Sequence, residues 1–143
     1  MDMNQQMRLE RDCERLSVDY VRHADFQDFD SFAELFTEDG VLEIQEVQRR
    51  GHDEIKQHFR NRPQMVTRHI CTNHWIEPVD DDHARGMVYL TVYRIPGPFT
   101  EADGPIPCDG PTWIGHYEDA YVRTPRGWRF ASRKLHIRFR FDE

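Results

Sequence analysis

Two short stretches of the chain place polar groups where an apolar face is due. In YVRHAD, Tyr20 to Asp25, a tyrosine precedes an aspartate by five positions. In VTRHICTNHWIE, Val66 to Glu77, His69 interrupts a run rich in β-branched residues. At the helical period Tyr20 and Asp25 lie roughly 140° apart, which leaves Asp25 at the edge of an apolar arc that includes Val18 and Val21. A carboxylate there is partly desolvated unless paired. It either caps the next segment or meets a histidine across a cavity. In the second case it holds one ring nitrogen, fixes the tautomer and strengthens the other nitrogen as a base, which makes the pair a proton-transfer device. His69 equally fits a core-edge histidine bonded to a backbone carbonyl. Strand alternation puts His69, Cys71, Asn73 and Trp75 on one face, with Ile70, Thr72, His74 and Ile76 on the other.

A further polar group is GHYEDAYVRTPRGWRF. There Gly115, Tyr117, Asp119, Tyr121 and Arg123 share one face, opposite His116, Glu118, Ala120 and Val122. Cross-strand pairing of Asp with Arg and packing of Tyr suffice to explain such a face. No metal or cofactor is expected. His52 and His58 stand six apart on a short helix and do not share a face. The thiols Cys13, Cys71 and Cys108 form no CxxC. GxGxxG, P-loop and GxSxG motifs are absent.

The elements that must position these residues follow from periodicity. Leu9, Cys13, Leu16, Tyr20 and Ala24 recur at three and four, predicting a long amphipathic helix from about residue 5 to 24. Asp28, Asp30 or Ser31 can cap a second helix through SFAELF. A strand at 41–44, a partner near 47–50 and a short helix HDEIKQHF follow. Two long hairpins complete the chain, 66–79 with 84–95 and 112–124 with 128–141. Between them the segment 96–111 holds five prolines and three glycines, so it is expected to be irregular and exposed. Helices followed by a mostly antiparallel curved sheet make an α+β layout in which a helix crosses the open side of a cone.

At 143 residues without a Pro/Gly/Ser-rich linker, the chain reads as a single domain, 1–143. A formal net charge of −7 disfavours nucleic acid and anionic membranes as partners and favours a small organic molecule. No apolar run reaches a membrane span, and the charged N-terminus is unlike a signal peptide, so a cytoplasmic location is expected. In the C-terminal HIRFRF, Ile137, Phe139 and Phe141 alternate as a sheet-to-sheet contact would need, suggesting a homodimer or homotrimer.

Taken in order, YVRHADFQDFDSFAELFTEDGVLE, RGHDEIKQHF, TRHICTN and GHYEDAYVRTPRGWRFASRK resemble the SnoaL-like branch of the nuclear-transport-factor-2-like superfamily, the branch that includes scytalone dehydratase and bile acid 7α-dehydratase. The resemblance implies a cystatin-like α+β barrel, a cone of mostly antiparallel sheet whose N-terminal helices close a hydrophobic pocket. It implies Asp25 and His69 as a proton-transfer dyad, with Tyr20 polarising a carbonyl or holding a leaving group. Asn73, Trp75, Tyr89 and Trp113 would shape the pocket, with Tyr117 and Arg123 from the second hairpin as further substrate contacts. The implied activity is a cofactor-independent lyase or isomerase, dehydratase-like, acting on a hydrophobic cyclic substrate such as a steroid or polyketide. The alternative is a non-catalytic ligand-binding or assembly domain, like the β subunits of ring-hydroxylating dioxygenases. The chain departs from the bile acid enzyme in having Thr91, Tyr93 and Arg94 where that enzyme has a further acid. It departs from the scytalone enzyme in having His116 and Glu118 where that enzyme has a Ser/Asn pair. Substrates therefore do not carry over.

Overall fold

A computed structural model describes residues 1–142. Helix α1 (Met3–Asp25) is followed by α2 (Phe29–Ala33), the hairpin β1 (Phe36–Ile44) and β2 (Val47–Arg50), and helix α3 (Gly51–Arg60). Then come β3 (Met65–Pro78), β4 (His83–Pro96), β5 (Trp113–Thr124) and β6 (Gly127–Arg140). The strands form one sheet in the order β2-β1-β6-β5-β4-β3. Its pairs are antiparallel except β1 with β6. β2 and β3 are free edges, so the sheet wraps without closing. The segment between β4 and β5 is largely exposed and contains one 3₁₀ turn, Glu101–Asp103.

Helix α1 starts at a capping box in which Asp2 accepts from the Gln5 amide at 2.8 Å and the Gln5 side chain accepts from the Asp2 amide at 2.8 Å. Its buried stripe is Leu9, Cys13, Leu16, Ser17, Tyr20 and Ala24. After Phe26 the chain turns through Gln27 at φ 62°, and Asp28 caps α2 by accepting from the Ser31 amide at 3.2 Å. Capping thus falls to Asp28, which leaves Asp25 free to face the sheet. The β1–β2 turn is made by Gln45 and Glu46, at φ 53° and 66°. Positive φ at both central residues is the twist that two-residue hairpins require, here without glycine.

The core lies between the helices and the concave face of the sheet. Phe32, Phe36 and Leu42 come from the first half, and Val88, Leu90, Tyr117, Tyr121, Phe130 and Leu135 from the long strands. Each such fully buried side chain contributes about 1.5–3 kcal/mol.

Three irregularities in the strands change which residues face this core. In β3 the register with β4 shifts between Thr72 and Trp75, and Asn73 adopts φ 53°. Before the shift Thr67, His69 and Cys71 face inward. After it Ile76 is buried, and Trp75 lies 46% exposed on the convex face. The expectation that Asn73 and Trp75 share a face with His69 is therefore corrected: the inserted residue flips the alternation. In β6 the register with β5 shifts at Ala131, so Phe130 and Arg133 both point inward although they are three apart. Near Arg138 a second shift separates Ile137, which pairs with Gly115 and packs against the core, from Phe139, which pairs with Ile114 and is exposed. Ile137 and Phe139 therefore do not form the common face expected of HIRFRF. Gly115 fits this bulge because a Cβ there would lie 2.0 Å from the His136 carbonyl oxygen.

Candidate active site

The last turn of α1 and the start of β3 meet at the wide end of the cone. The Asp25 carboxylate accepts three hydrogen bonds from β3. Oδ1 takes the Thr67 hydroxyl at 2.9 Å and His69 Nδ1 at 2.6 Å, and Oδ2 takes the His69 amide at 3.0 Å. Its side chain is 6% exposed and that of His69 is 15%. A carboxylate accepts only, so Nδ1 is the donor, and in the neutral imidazole Nε2 then keeps a free lone pair. His69 lines a small cavity of about 50 Å³, with Tyr20, Phe32, Phe59, Leu90, Val92 and Leu135 among its apolar walls.

Tyr20 stands beside the dyad, its ring 6.3 Å from that of His69 and nearly perpendicular to it. Tyr117 donates to the Tyr20 hydroxyl at 3.2 Å. Among the described residues Tyr20 itself donates to none, so its hydrogen is available to an oxygen in the cavity. Burial, opposed by the Arg133 charge, pushes the Tyr20 hydroxyl up to about 12. It is therefore a hydrogen-bond donor at neutral pH rather than a base. Burial likewise pushes the Cys71 thiol up to about 11, which keeps it from acting as a nucleophile.

Beneath Tyr20 lies a second pair that sequence reasoning did not assemble. Arg133 is fully buried and forks onto Asp119 through Nε at 2.8 Å and Nη2 at 2.9 Å, and Nη2 also donates to Ser17 Oγ at 2.6 Å. Tyr121 donates to the same carboxylate at 2.8 Å. The guanidinium lies 4.4 Å from the Tyr20 ring, 3.9 Å from Tyr117 and 4.4 Å from Phe130. Burial acts to lower the Arg133 pKa, and Asp119 outweighs it and raises it. The group is a permanent cation that packs the two tyrosines in place.

Of the residues expected at the site, Asp25, His69, Tyr20, Trp113 and Tyr117 are brought together, Asp25 behind His69 and the others on the cavity wall. Four others are not. Asn73 sits at the β3 bulge, and Trp75 and Tyr89 are exposed on the convex face, 46% and 47%. Arg123 is at the far end, where it binds Asp82 at 2.7 Å and lines an open groove of about 530 Å³ beside the start of α1. Thr67, His58, Arg62 and Arg94 are site residues that were missed. Thr67 had a signal, since it lies two positions before His69 on a regular part of the strand. The pocket is also less apolar than expected, because His58, Arg62 and Arg94 stand at its mouth. Among the described residues no group of three or more His, Cys, Asp and Glu side chains is placed to hold a metal ion. No helix is long and apolar enough to cross a membrane.

The SnoaL-like domain model matches residues 5–134. The chain belongs to the SnoaL-like family. No curated protein matches it. Among solved structures, a protein provisionally described as a scytalone dehydratase from Novosphingobium aromaticivorans DSM 12444 is similar at a TM-score of 0.82 and 22% identity, over 99% of this chain and 92% of that one. A single-residue variant of the Mycobacterium tuberculosis protein Rv3472, of unknown function, is 26% identical at a TM-score of 0.77, over 96% and 76%. A hexachlorocyclohexane dehydrochlorinase, LinA type 2, gives 0.78 at 16% identity, over 96% and 90%. A Nostoc punctiforme protein described as having a cystatin-like fold is also similar, at a TM-score of 0.73 and 18% identity over 89% of each chain. The SnoaL-like chain thus has the expected α+β fold, with an unclosed sheet in place of a full barrel.

Proposed function

We propose that the protein is a lyase or isomerase acting on a cyclic small molecule through proton transfer by its own side chains, with dehydration as the favoured reaction. The supporting observation is the Asp25–His69 pair, in which one ring nitrogen is held by a carboxylate and the other is left free at a cavity wall. His69 Nε2 takes a proton from carbon next to a carbonyl. The C–H electron pair forms the new double bond as the C–O bond to a β-hydroxyl breaks, and the imidazolium returns its proton to the departing oxygen, giving water. Tyr20 donates to the carbonyl oxygen on which charge develops. In an isomerisation the same proton returns to a different carbon. The cavity of about 50 Å³ holds little more than water, so a ring enters only as the long side chains Arg62, Arg94 and Gln45 at its mouth swing aside.

A panel of cyclic ketols and alcohols, followed by mass spectrometry for loss of water or a displaced double bond, tests this proposal. Turnover by wild type that disappears in His69→Gln and Asp25→Asn is expected. Turnover that survives in both variants would remove the dyad from the mechanism.

A binding or assembly role is favoured by a different observation, the convex face. Ile70, Tyr89 and Phe139 are 47%, 47% and 55% exposed there. We propose that this face joins copies of the chain as a dimer or trimer. Light scattering should then give a smaller species for Tyr89→Asp/Phe139→Asp than for wild type.

A further inference from the structure

The mouth of the cavity is positively charged in a protein whose net charge is −7. Arg62 follows α3 and Arg94 lies on β4. Both are partly buried, and both line the cavity with His58. Among the described residues neither guanidinium pairs with a carboxylate. Arg62 lies 4.8 Å above the Phe59 ring and Arg94 lies 4.3 Å above Trp113, with Arg94 Nε donating to Met65 Sδ at 3.4 Å. The acids whose charge reaches them are already engaged. Asp25 accepts three hydrogen bonds from β3, and Asp142 accepts from Trp113 Nε1 and Arg140 Nε. Some exposed arginines, Arg15, Arg85 and Arg123 among them, do pair with a carboxylate, whereas these two cavity-lining ones do not.

Two partly desolvated cations, neither bonded directly to a carboxylate, are costly unless a ligand supplies one. Burial, with the charges of Arg62, Arg49 and Arg94, holds His58 down to about 4, so it is neutral at pH 7 and adds a polar contact without a third charge. Guanidinium planes resting on aromatic rings suit a flat anion with two oxygens.

We propose that the substrate is a cyclic carboxylate, its anionic end held by Arg62 and Arg94 at the mouth and its ring directed toward His69 and Tyr20. This rests on the proton-transfer proposal above and names its substrate class. Engaging the carboxylate draws the guanidiniums off Phe59 and Trp113, which opens the cavity for the ring.

Isothermal titration calorimetry with cyclohexanecarboxylate, its methyl ester and cyclohexyl phosphate tests the assignment. Wild type should bind the carboxylate, with the ester weaker by about tenfold or more, as loss of a charge-assisted hydrogen bond implies. Arg62→Gln/Arg94→Gln should weaken the carboxylate by at least the same factor, and the Lys/Lys counterpart should retain binding if charge is what counts. Asp25→Asn should bind the carboxylate at least as tightly as wild type. Equal binding of acid and ester, tighter binding of the phosphate, or no binding of the acid at its highest soluble concentration would overturn the assignment. The two proposals fail separately. Carboxylate binding without any turnover by wild type would sink the base and spare the anion site, whereas turnover of neutral ketols without carboxylate preference would do the reverse.

Discussion

Two acid–base pairs flank the Tyr20 ring, and they are built in opposite ways. Asp119 and Arg133 are both fully buried. The fork is bidentate, and Ser17 and Tyr121 take further bonding positions. Asp25 and His69 lie closer to the opening. There the carboxylate is saturated by Thr67 and His69, yet the imidazole keeps one nitrogen unused. A pair sealed in the core, where even the unpartnered Arg133 Nη1 is buried, can hold a structure but offers nothing to a substrate. A pair saturated on the acid side only is held in place and still offers a lone pair. Tyr20 joins them, with its ring face on Arg133 and its ring edge toward His69.

The sharpest way to break the contrast is to cut the closed pair. Asp119→Ala leaves Arg133 buried without its counter-charge and should cost about 3–5 kcal/mol in urea unfolding, while Asp119→Leu/Arg133→Met should recover much of that loss. In the open pair the penalty should fall on chemistry instead. His69→Gln should lower turnover by about 10² to 10⁴-fold and leave unfolding within about 1 kcal/mol of wild type. Equal loss of stability in the two variants would erase the distinction. Thr67→Val removes one of the bonds that saturate Asp25 and should cost about 1 kcal/mol, or about fivefold if it appears in turnover.

A further effect is in pH. His58 binds its proton less readily in the folded protein than when unfolded, with the folded pKa at about 4 and the ordinary value at 6.5. Between those values the unfolded chain holds more protons, so stability falls as the pH drops from 6.5 toward 4. The contribution from this one residue is at most about 1.4 kcal/mol per pH unit. His58→Gln should flatten that part of the curve in a pH series of thermal melts.

The fold was legible because its signals are long. The apolar stripe of α1, the hairpins and the proline-rich connection each span many residues, and the helix period and strand alternation average over local noise. The Asp25–His69 contact was legible because Asp25 ends a regular helix and His69 precedes the first bulge. Beyond the bulges the alternation reverses. That is why Asn73 and Trp75 were expected in the pocket and are not there, and why Arg133, three residues after Phe130, was not placed beside it. Arg62 and Arg94 had no such pattern. Their role depends on carboxylates being absent around them in space, which spacing along the chain does not record.

The central claim is that Asp25 fixes His69 with Nε2 as the free base. ¹⁵N NMR of histidine-labelled protein reads it directly. In the neutral imidazole of the wild type, the proton of His69 should reside on Nδ1 and Nε2 should be unprotonated, and Asp25→Asn should disturb that preference. A neutral imidazole with its proton on Nε2 in the wild-type protein would contradict the account.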